Sequence, residues 1–367
     1  MSKTNDRKAD PVFVIAEAGV NHNGDLGIAR RLVEAAADCG ADAVKFQTFR
    51  AESVVTPTAA KADYQSRRTG EGESQLEMLK RLELSRQDHH ALKARCGERG
   101  IEFLATPFDE TAADFLAGEI GVARIKVPSG EITNAPFLLH LARLGLPLIL
   151  STGMSTFDEV EAALGVLAHG FSGGEGSPNT ERPMVADDLR ISRDKVTLLH
   201  CTSDYPAAFE EVNLKVVPEM TARFSLPIGL SDHTPGHAAA LGAVALGAVV
   251  IEKHLTLDKA MAGPDHAASL EPDEFAELVA NIRALEAALG TSDKRPQPSE
   301  VATMAVARRS LVALRPIKRG EAFDETNVGA KRPGTGLSPM RYWQVLGRRA
   351  PRDFDADELI VLENDRG

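Results

Sequence analysis

The chain has 367 residues, 43% hydrophobic and 26% charged, which is enough for one large domain and a small companion. Its net charge of −11 excludes a general nucleic-acid binder, which needs a basic surface to neutralise phosphates. No apolar run reaches the roughly 20 residues of a membrane-spanning helix, and the polar start MSKTNDRKADP has no signal-peptide core, so the cytoplasm is the expected compartment.

Eight short apolar runs then follow in order, each ending in a polar or ionisable residue. VFVIAEAG ends at Glu17, AVKFQT carries Lys45 and Gln47, EFLATP carries Thr106, and ARIKVPSGE carries Lys126, Ser129 and Glu131. LPLILSTG ends at Ser151, VTLLHCTSDYP carries Ser203 and Tyr205, PIGLSDH carries Ser231 and His233, and VVIEKH carries Glu252, Lys253 and His254. Helical patterns separate them at 26–39, 74–99, 110–117, 134–144, 156–168, 212–222, 236–246 and 272–289. Within 74–99 the LELS at 82–85 marks a break, with Ser85 as a new N-cap. Strand–helix alternation predicts a parallel sheet in the α/β class, and eight cycles predict closure into a (β/α)8 TIM barrel over residues 1–290. Such a barrel carries its chemistry at the C-terminal strand ends, so the polar ends outline one active-site rim and the chain reads as an enzyme.

Three stretches depart from this rhythm. Residues 51–73 are long for a βα loop and form a candidate substrate lid. Residues 171–194, rich in Gly, Pro, Ser and charge, predict a mobile surface insertion. Residues 291–305 open on the polar stretch TSDKRPQPSE and read as a linker to a small β-rich domain at 306–367, whose short runs promise little core and a reliance on a larger surface. From residue 306 onward 12 Lys+Arg face 9 Asp+Glu, so residues 1–305 carry −14. A barrel so acidic must concentrate its few pocket cations to hold an anion. Cys39, Cys96 and Cys201 show no CxxC or disulfide spacing and read as buried thiols.

His233 and His254 end adjacent strands and can share a divalent metal, leaving positions for substrate and water; otherwise they are unrelated strand caps. Lys45 and Lys126 sit in apolar strands, where a lysine is costly unless paired or facing a pocket. They suit a phosphate or carboxylate, a Schiff base, or structural ion pairs. Glu17 could activate water or pair with Lys45. The G-P-D-H at 263–266, containing Asp265, either closes the pocket or forms a turn.

In this order IAEAGVNHNG, AVKFQT, TPF, KVPSGE, LSTGMS, HCTSDYP, LSDHT, EKHLTLD, AGPDH and KRPGTG resemble the sialic acid (nonulosonic acid) synthase family, over residues 12–350. The resemblance implies a barrel followed by an antifreeze-like (SAF) domain, in a domain-swapped homodimer where that domain reaches over the partner's barrel. It implies a transferase that condenses phosphoenolpyruvate with an open-chain acetamido sugar of the mannosamine type and releases phosphate, with Mn or Mg on His233 and His254. Lys45, Thr106, Lys126, Ser129, Ser151, Ser203, Tyr205 and Ser231 match the phosphoenolpyruvate positions, and Gln47, Glu131 and Asp265 the sugar positions. Arg332, in KRPGTG, matches the arginine supplied across the dimer. Glu17, Lys45 and Tyr205 stand as the catalytic set. Ser203 replaces the Asn of the N-acetylneuraminate branch, and 61–76 resembles the N,N'-diacetyllegionaminate branch, whose sugar lacks the 6-hydroxyl and carries a second acetamido group.

Overall fold

The computed structural model describes residues 10–61, 66, 73–179 and 185–362. They fall into two compact units, Met1–Gly290 and Thr291–Gly367. In the first, eight strands form one sheet: β1 (Phe13–Gly19), β2 (Ala43–Thr48), β3 (Glu102–Pro107), β4 (Ile125–Val127), β5 (Leu148–Ser151), β6 (Val196–Cys201), β7 (Ile228–Asp232) and β8 (Val250–His254). Their order is β3-β2-β1-β8-β7-β6-β5-β4, and every ladder is parallel. First and last strands are thereby joined, and β3 lies against β4 at the seam, giving the barrel expected from eight cycles.

Alternation along each strand sorts its side chains into two cores. Ile15, Ala43, Leu104, Ile149, Leu199 and Val250 form a small apolar plug inside the barrel. The intervening residues, Val14, Val44, Phe103, Leu148, Leu198 and Ile251, join the large core under the helices. Two residues beyond the plug the inward positions become Glu17, Lys45, Thr106, Ser151, Cys201 and Glu252. A period of two thus turns an apolar floor into a ring of polar groups one pleat higher.

Local signals start the helices where the sequence expects them. Ser85 caps Arg86–Arg99 through a reciprocal capping box with Asp88, and Thr156 does the same with Glu159 for Phe157–Phe171. Ser74 caps a separate short helix, Gln75–Lys80. The helix expected over 110–117 stops earlier: Glu110–Asp114 is α-helical and Phe115–Ile120 is a π-turn that tucks Phe115, Leu116 and Ile120 into the core. In the expected insertion a helix, Ala186–Ser192, packs on Phe157–Phe171, with Leu189 against the core. Of the 51–73 connection, Ala51–Val54 is helical, while 62–65 and 67–72 lie outside the described residues. No described helix is long and apolar enough to cross a membrane.

The stretch read as a linker contains a ten-residue helix, Pro298–Ala307. The polar run at 291–297 ahead of it hides it, yet Pro298 at its first turn and the Gln297–Glu300 capping box are ordinary helix-start signals. Near its C-terminal end, Ala305 accepts from Gly334 N at 2.7 Å and Ala307 from Arg332 Nε at 3.1 Å. Beyond it β9 (Ser310–Ala313) pairs antiparallel with β10 (Val328–Lys331). This unit has a core of its own around Leu311, Ile317, Phe323, Val345, Phe354 and Ile360. Of those residues Leu311 lies in a strand, Ile317 and Phe354 form an isolated bridge, Val345 ends a short helix, and Phe323 and Ile360 are irregular, so the core is larger than short strand runs suggest.

Candidate functional site

At the C-terminal mouth of the barrel lies a cavity of about 390 Å³. Glu17, Lys45, Gln47, Thr106, Lys126, Ser129, Ser151, Ser203, Tyr205, Ser231, His233, His254 and Asp265 all line it. Glu131, assigned by resemblance, does not. The Glu131 carboxylate accepts from Asn134 Nδ2 at 2.7 Å in the turn after β4. Arg332 belongs to the second unit, Thr291–Gly367.

The lysines are held from three strands. Lys45 Nζ donates to Thr106 Oγ1 at 3.0 Å and forms an ion pair with Glu17, its neighbour across the β1–β2 register. Lys126 Nζ donates to Ser151 Oγ at 2.7 Å. Between them stands Glu252, with Oε1 3.6 Å from Lys126 and Oε2 3.7 Å from Lys45, while Ser231 Oγ donates to Oε1 at 2.8 Å. Glu252 lies in the VVIEKH run, but the resemblance gives it no role. Its signal was parity: it lies two residues before His254 on one strand, so both point inward, whereas Lys253 points out.

Burial and charge set opposite tendencies here. For Glu17, burial outweighs the Lys45 ammonium and raises the carboxyl above its ordinary value. For Glu252, burial also works to raise it, but Lys126 and Lys45 prevail and bring it down to about 2. Burial lowers Lys126, while Lys45, despite its burial, is raised by Glu17 and Glu252. Asp265 has neither lysine as an ion-pair partner, and burial followed by repulsion from Glu17 pushes it up to about 7.

Around Gly153 the lining becomes a cradle of small polar atoms. Its N–H donates to Ser129 Oγ at 3.0 Å, and that hydroxyl touches Cys201 Sγ at 3.0 Å. A Cβ at 153 would meet Ser203 Oγ at 2.3 Å and Cys201 Sγ at 2.6 Å, so only glycine lets these groups converge. Cys201, read from the sequence as a plain buried thiol, is buried but also lines the cavity.

His233 and His254 approach with ring centroids 5.4 Å apart, and the Tyr205 ring lies 4.1 Å from His233. Nδ1–H of His233 donates to the Thr202 carbonyl at 2.7 Å, which leaves the Nε2 lone pair for the cavity. Nδ1 of His254 is buried with no hydrogen-bond partner among the described residues. Burial lowers both imidazoles, so both are neutral donors near pH 7. Among the described residues no three His, Cys, Asp or Glu side chains form a metal cluster. A divalent ion here would therefore take two imidazoles and complete its shell from water and substrate, which this donor set suits.

The arrangement can hold a strongly anionic substrate against two lysines and several hydroxyls, offer a raised carboxyl as a base, and present two neutral imidazoles beside it. A profile of the NeuB family matches residues 32–294, and one of the SAF domain matches residues 308–364. The chain is 47% identical over 348 residues to the N,N'-diacetyllegionaminic acid synthase of Campylobacter jejuni, covering 95% of this chain and 98% of that one. The protein of the same name from Legionella pneumophila is 45% identical over 352 residues, covering 96% and 94%. A solved structure of N-acetylneuraminic acid synthetase from Leptospira borgpetersenii, in complex with citrate, matches with a TM-score of 0.65 at 35% identity, covering 80% of this chain and 90% of that one.

Proposed function

Because this chain belongs to the NeuB family, we propose that it is a nonulosonic acid synthase joining phosphoenolpyruvate to an open-chain acetamido sugar, with N,N'-diacetyllegionaminate as its product. The observation that carries the reading is the ring of Glu17, Lys45, Lys126 and Glu252 one pleat above the apolar plug, opening onto His233 and His254. Burial disfavours the negative charge of Glu17 and Asp265, which suits a cavity that meets a substrate bearing about three negative charges with Lys45 and Lys126.

In this reading Lys45 with Thr106, and Lys126 with Ser151, hold the phosphate and carboxylate as charge-assisted donors. Ser129, held by the Gly153 N–H, and Ser203 complete the anion cradle. Gln47 and Asp265 take the sugar, and in the homodimer that the resemblance implies, Arg332 of a second copy reaches its acyl group. Carbon 3 of phosphoenolpyruvate attacks the sugar aldehyde, and the former carbonyl oxygen takes up a proton. Water adds to the cationic carbon 2 as Glu17 accepts its proton. The tetrahedral intermediate then breaks the bond from carbon 2 to the bridging phosphate oxygen, and the carbon 2 hydroxyl gives its proton to the departing phosphate, leaving a 2-keto acid and free phosphate. His233 and His254 would hold Mn or Mg, whose chemistry when bound is to polarise the aldehyde as a Lewis acid. Tyr205 packs on both imidazoles and limits their rotation.

The test is phosphate release from phosphoenolpyruvate with Mn or Mg, comparing 2,4-diacetamido-2,4,6-trideoxymannose with N-acetylmannosamine and identifying products by mass spectrometry. Sugar-dependent release, faster with the diacetamido sugar, is expected. Release that ignores the sugar, or a pyruvate adduct trapped on a lysine by borohydride, overturns the reading.

A further inference from the structure

The cavity lining is divided. Most of the ionisable groups and hydroxyls sit on or just past the strand ends, whereas one side is built from Phe49, Val54, Leu79 and Phe108. These four come from the segments after β2 and β3 and from the helix Gln75–Lys80. They belong to a satellite apolar cluster in which Val20, Phe49, Met78 and Leu82 are buried and Val54, Leu79 and Phe108 pack on it half-exposed. Phe49 and Phe108 meet edge to face at 5.8 Å. Met78 anchors the short helix and the Ser74 capping box fixes its start. The wall is therefore a packed surface, and Phe49, Val54, Leu79 and Phe108 carry it into the cavity lining.

Building from the synthase reading above, we propose that this wall receives the deoxygenated methyl end of a 6-deoxy sugar, with Val54 and Leu79 setting the preference for methyl over hydroxymethyl at that carbon. The polar groups next to the wall are Gln47 and Gln75, amides whose paired donor and acceptor match acetamido groups. A methyl lying on Val54 and Leu79 gains apolar burial and needs no partner. A hydroxymethyl in the same place gives up a water hydrogen bond for contact with carbon. Discrimination of this kind is bounded, because an apolar pocket rejects an added hydroxyl by no more than about 100-fold. The anion-holding residues take no part in it.

The experiment uses two sugars that differ at one position, N-acetylmannosamine and its 6-deoxy analogue, with the full-length enzyme. Wild type is expected to favour the 6-deoxy sugar in kcat/KM by about 10- to 100-fold. Val54→Thr, nearly the same shape as wild type, and Leu79→Asn, at a half-exposed position, should each shrink that ratio severalfold while the KM for phosphoenolpyruvate stays constant. A wild-type ratio near one, or variants that bind phosphoenolpyruvate normally and keep the wild-type ratio, overturns the proposal. Failure to release phosphate with either sugar and with the diacetamido sugar overturns the synthase reading itself, an outcome distinct from an unchanged ratio.

Discussion

Lys126 and Lys253 are both buried lysines of the same barrel, each facing a carboxylate, and they are buried in different ways. Lys253 points out of the barrel, donates to Asp232 Oδ2 at 2.8 Å and also to the Thr234 carbonyl, and has no exposed side-chain surface. Asp232 spends its other oxygen on Thr234 N and Oγ1 at 2.9 and 2.8 Å. Lys126 points inward, and its carboxylate neighbour Glu252 stays 3.6 Å away, beyond hydrogen-bond range. Glu252 Oε2 has no hydrogen-bond partner among the described residues. The outward pair is closed and the inward cluster is open. An open buried cluster is expensive to maintain, and it persists where an incoming ligand can complete it.

Breaking the closed pair should give the largest effect, and on folding. Removing one partner of a buried ion pair strands the other, so Asp232→Asn should lower unfolding stability by about 3–5 kcal/mol in a denaturant titration. Asp232→Leu combined with Lys253→Met should recover most of that loss and leave phosphoenolpyruvate affinity unchanged. Opening the inward cluster should act on substrate instead. Lys126→Met removes a donor to the anion, and its kcat/KM for phosphoenolpyruvate should fall by about 2–5 kcal/mol, some 30- to several-thousand-fold. Its loss of stability should be smaller than that of Asp232→Asn, because Lys45 remains near Glu252. Equal destabilisation by the two substitutions would remove the distinction between closed and open burial.

Most of the open cluster was legible because a strand repeats every two residues. Glu17, Lys45, Thr106 and Ser151 each stand two positions past an apolar plug residue, and the motif ends already named them. Glu252 is legible by the same rule, standing two positions past Val250 and two before His254. The apolar wall was not legible, since Phe49, Val54, Leu79 and Phe108 come from three separate segments, brought together by ring packing and the Ser74 cap. Barrel closure followed from counting cycles. The helix Pro298–Ala307 was masked by the polar run ahead of it, although its capping signals were present. Nothing in the local pattern announced the π-turn at Phe115–Ile120, which the burial of three apolar residues explains only once the core is seen.

Asp265 is the intermediate case, since it lines the open cavity but has neither lysine as an ion-pair partner. Its folded-state pKa of about 7 stands above the ordinary 3.8. The fold therefore favours its protonated form, and the associated stability is fully present below pH 3.8 and is lost as pH rises towards 7. Asp265→Asn, which cannot ionise, should match wild type at low pH and become the more stable protein as pH climbs through that window. Three pKa units represent roughly 4 kcal/mol, and relaxation with entering water should reduce the measured gap to about 2 kcal/mol. Denaturant titrations from pH 4 to pH 8, on metal-free and substrate-free protein, measure it directly. A gap that stays flat with pH would mean that Asp265 is ionised in the empty site. The cavity would then carry one more negative charge, and the contrast between an open cluster awaiting an anion and a closed pair that awaits nothing would weaken accordingly.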